Sequence, residues 1–177
     1  MNKAIFFDRD GVINEDLGYV HHQKNFYFKK DIFEFCRKAN DAGYLLFIVT
    51  NQAGIARGYY TEKEYQVLTE WMLEKFLEQK IQITKVYFCP YHPTDGIGNY
   101  KQESFYRKPA PGMLLQAKQE YHVDLSKSIL IGDKESDIEA GRKAGIKKLF
   151  FLHGKYELKE NTNAIVISNI LNVIDYL

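Results

Sequence analysis

Residues 4 to 8, Ala-Ile-Phe-Phe-Asp, form an unbroken apolar run closed by an acid. A strand with one wet face alternates apolar and polar residues. A run without alternation belongs inside a parallel sheet covered on both sides, with Asp8 at its carboxyl end. Tyr44 to Val49 and Ser128 to Ile131 repeat the pattern, and polar residues follow each at once, Thr50-Asn51 and Gly132-Asp133. Between these runs the spacing turns helical. From Asp31 the apolar positions Ile32, Phe33, Phe35, Cys36 and Ala39 recur up to a stop at Gly43. Thr61 and Glu64 form a capping box for a helix whose Tyr65, Leu68, Met72, Phe76 and Leu77 share one face. Pro111 suits the first turn of a helix carrying Met113, Leu114, Leu115 and Ala117, and Ser136 is expected to cap a helix that stops at Gly145. Further strands are expected near Ile83 to Cys89, Lys148 to Leu152 and Ala164 to Ile167, with a terminal helix over Asn169 to Leu177.

This alternation specifies an α/β chain, a three-layer Rossmann-like domain with a mostly parallel sheet. At roughly 150 residues per domain, residues 1–177 are expected to form a single domain. The stretch 89–109 has no convincing periodicity and is expected to be a long loop, and the spacing elsewhere leaves no room for a cap domain. Apolar residues make up 45% of the chain and charged residues 27%, which excludes global disorder. Lysine and arginine total 24 against 23 acids, a net charge of +1, so no long-range field draws the chain to nucleic acid or to an anionic membrane. The aromatic and basic stretch Asn25 to Lys30 is accordingly read as packing. No apolar stretch approaches the roughly 20 residues of a membrane span, and acids at Asp8 and Asp10 interrupt any secretory pattern. Cys36 and Cys89 form no CxxC pair, which fits a reducing compartment, and a cytoplasmic monomer is expected.

In an open parallel sheet, ligands bind beyond the carboxyl ends of the strands. Four such points carry reactive groups: Asp8-Arg9-Asp10-Gly11-Val12, Thr50-Asn51, Arg107-Lys108-Pro109, and Gly132-Asp133-Lys134-Glu135-Ser136-Asp137. Carboxylates converging at one sheet edge repel unless a cation lies between them, and hard oxygen ligands favour Mg²⁺.

In that order, the four segments resemble the motifs of the haloacid dehalogenase superfamily of phosphatases, over nearly the whole chain. The resemblance implies that Asp8 attacks phosphorus to form an aspartyl phosphate, while Asp10 serves as general acid and base. Thr50 and Lys108 would hold the phosphoryl oxygens. Mg²⁺ would be held by the Asp8 carboxylate, the Asp10 main-chain carbonyl and Asp133, with Lys134 and Asp137 behind them, Asp137 orienting waters or Lys134.

Longer segments are similar to one subfamily, the D-glycero-D-manno-heptose 1,7-bisphosphate 7-phosphatases, relatives of the histidinol-phosphate phosphatases. They are Asp8 to Asn14, Asp16-Leu17-Gly18-Tyr19-Val20, Thr50 to Gly58, and Arg107-Lys108-Pro109-Ala110-Pro111-Gly112-Met113. By this similarity the substrate is a small sugar bisphosphate, cleaved on the route to nucleotide-activated heptose. Asp16, Leu17, Gly18, Tyr19, Asn51, Gln52, Ala53 and Arg57 would line its pocket. Arg107 would recognise the second phosphate. Histidinol phosphate or another small sugar phosphate is the alternative substrate, and a catalytically retired phosphate-binding protein the alternative class. The subfamily pins its long loop with zinc held by a Cys-x-His pair and a Cys-x-Cys pair. Here those positions read Cys89-Pro90-Tyr91 and Ser104-Phe105-Tyr106, so no zinc is expected, and Tyr91, Phe105 and Tyr106 are expected to pin the loop by burying aromatic surface. His21 and His22 are expected at the surface or the substrate rim.

Overall fold

The apolar run at the amino terminus is strand β1 (Ala4–Phe7), and all four of its side chains are buried. Ile5 and Phe7 pack into one apolar cluster, Ala4 and Phe6 into another. A strand covered in this way needs helices on both faces, and the computed structural model, which describes residues 1–159 and 162–177, supplies them. The Ile5 face is covered by α1 (Ile32–Asp41), α3 (Glu62–Glu78) and a closing 3₁₀ turn at Ile170–Tyr176, through Phe35, Leu68, Met72, Phe76 and Val173. The Phe6 face is covered by α4 (Gly112–Tyr121) and α5 (Glu135–Ala144), through Met113, Leu114, Ala117 and Ile138.

Strands β2 (Leu45–Asn51), β3 (Lys85–Cys89), β4 (Ile129–Gly132), β5 (Lys148–Leu152) and β6 (Ile165–Ile167) complete a six-stranded sheet in the order β3-β2-β1-β4-β5-β6. All five strand pairings are parallel, so the expected mostly parallel sheet is parallel throughout. The chain leaves β1 toward one edge, then returns to place β4 on the other side of β1. The carboxyl ends of β1 and β4 therefore flank the point where strand order reverses, the place where this architecture opens a crevice. Phe7 is level with both Ile48 and Ile131, and the Asp8 amide donates to the Ile131 carbonyl at 3.1 Å. Among the described residues no second sheet or helical bundle covers this edge, and no helix is long and apolar enough to cross a membrane.

Several expectations are corrected. Ser136 does not cap α5: Lys134 holds the cap position, and the Asp137 side chain accepts its backbone N–H at 3.0 Å. Leu77 leaves the apolar face of α3 and is 64% exposed, because α3 has already turned past the sheet at Phe76. The terminal helix is 3₁₀ rather than α. Strand β2 runs on through Thr50 and Asn51, expected in a loop, because both pair with β3. A one-turn helix α2 (Ala53–Ala56) follows, without a sequence signal of its own.

Candidate active site

Asp8 and Asp133 stand at the ends of β1 and β4, and Asp137 lies in the first turn of α5. One carboxylate oxygen of each lies within 4.8 Å of the others, and all three are buried. The Lys108 ammonium, also buried, donates to Asp8 Oδ1 at 2.8 Å and to the Val49 carbonyl at 2.7 Å, and it forms an ion pair with Asp137 Oδ1 at 2.6 Å. Asp137 thus holds Lys108 rather than the Lys134 side chain; its ties to Lys134 run through the backbone, the carboxylate accepting the Lys134 N–H and the Asp137 N–H donating to the Lys134 carbonyl. Three buried carboxylates against one ammonium leave excess negative charge. Burial, opposed by Lys108 and reinforced by Asp137, holds the Asp8 carboxyl above its ordinary range. Burial works against the Lys108 charge, but Asp137 and Asp8 outweigh it and hold Lys108 above its usual value. Burial, followed by repulsion from Asp8, pushes Asp133 up to about 8.

Asp133 Oδ1 is buried without a hydrogen-bond partner. An oxygen left bare in that position costs free energy unless a ligand meets it, and a hard divalent cation suits an all-oxygen set. The backbone makes room for that approach at Gly11, where φ is +98° and a Cβ would fall 2.0 Å from Asp133 Oδ2.

Through Lys108 the cluster borders a cleft of about 620 Å³, within the size range of small-molecule sites; Asp8, Asp133 and Asp137 lie behind its lining. Asp10, Asp16, Gly18, Tyr19, Asn51, Gln52, Ala53, Arg107, Lys108 and Lys134 line it, as the sequence led us to expect. Thr50 is buried at the end of β2, its Oγ1 accepting from Gln52 Nε2 at 2.8 Å, which leaves its own proton free to donate. Asn51 lines the cleft, yet both ends of its amide bind the Lys108 backbone, at 2.9 and 3.0 Å, so it fixes the position of Lys108. Arg107 donates to the Tyr91 carbonyl at 3.1 Å, and burial lowers its pKa without discharging it.

Two expected pocket residues lie elsewhere. Leu17 is 59% exposed and does not line the cleft, since the turn closed by Gly18 N–H on Asp16 Oδ1 points it outward. Arg57 is bound to Asp95 at 2.6 Å and faces the Tyr19 ring, so it braces the loop. Conversely, Lys155 and Tyr156, beyond β5, line the cleft without having been singled out. Tyr156 donates its hydroxyl to Asp16 Oδ2 at 2.9 Å, while Lys134 and Lys155 lie 3.5 and 3.6 Å from the same oxygen. Burial is outweighed by these donors and by Gly18 N–H, and the Asp16 carboxyl falls below its ordinary range. Apart from its place at a strand end, nothing in the sequence around Lys155 announces it.

The loop expected to be pinned by aromatic burial is pinned differently. Phe105 and Tyr106 are 59% and 45% exposed, because the chain there turns outward ahead of α4; only Tyr91 packs, against Tyr100. Backbone hydrogen bonds join His92 to Tyr100 and Gln102 and Ile97 to Ala56, and the Tyr100 hydroxyl donates to the Glu62 carboxylate. His92 Nδ1 accepts the Asp95 N–H at 3.0 Å, and its ring reaches the cleft; burial, followed by Arg107, keeps it below the usual histidine range. His21 stacks on Tyr60 at the rim. Phe26 and Phe28 pack against Trp71, as expected for the Asn25 to Lys30 stretch.

The "HAD-hyrolase-like" family model matches residues 105–175. The chain is 48% identical over 177 residues to D-glycero-alpha-D-manno-heptose-1,7-bisphosphate 7-phosphatase of Burkholderia mallei, covering 99% of this chain and 94% of the relative. It is 42% identical to D-glycero-beta-D-manno-heptose-1,7-bisphosphate 7-phosphatase of Vibrio cholerae, covering 98% and 95%. The crystal structure of a D,D-heptose 1,7-bisphosphate phosphatase from B. bronchiseptica, complexed with magnesium and phosphate, superposes with a TM-score of 0.82 at 25% identity, over 98% of this chain and 96% of that one.

Proposed function

The chain belongs to the D-glycero-D-manno-heptose 1,7-bisphosphate 7-phosphatase family of the haloacid dehalogenase superfamily, and from that premise we propose that its own residues hydrolyse the 7-phosphate of a heptose 1,7-bisphosphate in heptose biosynthesis. The observation that carries the reading is the buried Lys108 ammonium bridging Asp8 and Asp137 beside the bare Asp133 oxygen, at the floor of a cleft lined by further cations.

Asp8 attacks phosphorus, forming an acyl phosphate on its carboxylate as the bond from phosphorus to the sugar oxygen breaks. Asp10, at the cleft, gives that oxygen a proton; a water then attacks the aspartyl phosphate, Asp10 takes the proton back, and phosphate leaves. The Thr50 hydroxyl and the Lys108 ammonium hold the equatorial oxygens as charge accumulates on them. Arg107 receives the second phosphate. The donor set fits Mg²⁺, which the Asp8 carboxylate, the Asp10 main-chain carbonyl and Asp133 would hold. When bound, the ion neutralises the carboxylates and the phosphoryl charge. Cys36 and Cys89 are both free and buried, which supports a cytoplasmic setting.

Steady-state assay against heptose 1,7-bisphosphate and histidinol phosphate tests the substrate. A kcat/KM at least about 10-fold higher for the heptose ester is expected, and the reverse preference overturns the reading. The Asp8→Asn variant tests the mechanism: turnover should fall by about 10³-fold or more, and wild-type turnover would remove Asp8 as the nucleophile.

A further inference from the structure

The Asp10 carboxylate is met by four N–H donors. Arg9 Nε reaches Oδ2 at 3.2 Å and Arg9 Nη2 reaches Oδ1 at 3.0 Å; Asn14 Nδ2 donates to Oδ1 at 3.0 Å and Gln52 Nε2 to Oδ2 at 3.2 Å. The three side chains that supply them are buried, Arg9 to 1% exposure. A guanidinium taken out of water needs strong partners, and Asp10 is the one carboxylate paired with Arg9 among the described residues. The Arg9 guanidinium sits 5.9 and 5.8 Å from the ring centroids of Phe26 and Tyr65, which hold it in place. A planar fork binding both oxygens of a carboxylate sets the plane of that carboxylate as a point charge cannot.

The same fork has a second grip. Arg9 Nη2 donates to the Val20 carbonyl at 2.6 Å. Val20 closes the segment that carries Asp16, Gly18 and Tyr19 into the cleft. One buried side chain therefore ties the loop that lines the substrate cleft to the group read as the proton donor. We propose that Arg9 is a positioning residue of the phosphatase reaction, coupling the 16–20 loop to Asp10 and fixing the plane from which Asp10 delivers its proton to the departing sugar oxygen. The inference rests on the reading of Asp10 as the acid.

The test compares two esters on one protein. The value of kcat/KM covers the steps up to departure of the alcohol. A sugar alkoxide needs a proton to leave, whereas the nitrophenolate of p-nitrophenyl phosphate leaves without one. Arg9→Lys, which keeps the charge and loses the fork, should lower kcat/KM on heptose 1,7-bisphosphate about 30-fold and on p-nitrophenyl phosphate less than about 3-fold. A partly unfolded preparation lowers both rates by one factor, so it cannot imitate this ratio. Arg9→Met, an apolar side chain suited to the slot between Phe26 and Tyr65, serves as the second variant and should show the same inequality. Equal losses on the two esters, or no loss on either, overturn the proposal and make Arg9 a packing residue. Asp10→Asn run alongside separates the two levels. If Asp10→Asn discriminates between the esters and the Arg9 variants do not, the role of Arg9 falls alone. If Asp10→Asn does not discriminate, the assignment of the acid falls with it.

Discussion

Gly11 and Asp133 stand 122 positions apart in the sequence and meet where no side-chain atom of residue 11 would fit. In Gly11→Ala the Cβ has to displace the Asp133 carboxylate, and the positive φ adds strain to the clash. We expect magnesium affinity to drop at least about 10-fold with the fold retained, measured by the Mg²⁺ dependence of the melting temperature. Unchanged affinity would show that Asp133 is not a ligand. At this scale the sequence revealed the charged residues that stand at strand ends. Asp8, Asp10 and Asp133 come just after apolar runs and Lys108 shortly before a helix, and the structure sets Asp8 and Asp133 beside Lys108, which lines the cleft with Asp10. The partners of those residues stayed hidden. Asp137 is expected from the resemblance to orient waters or Lys134; that it pairs with Lys108, 29 positions earlier in the sequence, shows only in the fold. Leu17 and Arg57 were placed in the pocket by similarity, but a local turn and Asp95 aim them away from it.

The strands were legible because burial on both faces forbids polar residues, and β5 fell where expected, at Lys148–Leu152. Helix ends were less so: a cap is chosen by local hydrogen bonding, and at α5 the Lys134 backbone and the Asp137 carboxylate outcompete the Ser136 hydroxyl. The segment between β3 and α4 was opaque, since its order comes from backbone pairing between residues with no shared pattern. Its tightest point is Gly96, where a Cβ would lie 2.5 Å from the Lys101 backbone. Gly96→Ala should therefore push apart the contacts that set Asp95, His92 and the Arg57 brace. The expected result is a KM for the heptose ester raised about 5-fold or more with kcat changed less than about 2-fold, as for loss of substrate positioning remote from the chemistry. A variant with wild-type KM would show that this loop does not shape the cleft.

Taken whole, the molecule gathers three buried carboxylates at one sheet edge of a nearly neutral chain. Without a cation, Asp133 has a pKa near 8 in the fold against 3.8 ordinarily, so between those values the metal-free fold keeps a proton that the unfolded chain has released. Stability of the metal-free protein therefore falls as pH rises through that window. Binding of Mg²⁺ requires the ionised carboxylate, and its benefit grows in the same direction. Protein stripped with a chelator should melt lower at pH 8 than at pH 6, and saturating Mg²⁺ should raise the melting temperature more at pH 8; a gain independent of pH would contradict this. The ammonium at the centre of the pocket is bound to Asp8, 100 residues upstream, and to Asp137 downstream. The pocket is therefore assembled only once the segment carrying Asp137 has joined Asp8 and Lys108. A fragment ending before Asp137 would carry Asp8 and Lys108 without the second acid that pairs the ammonium.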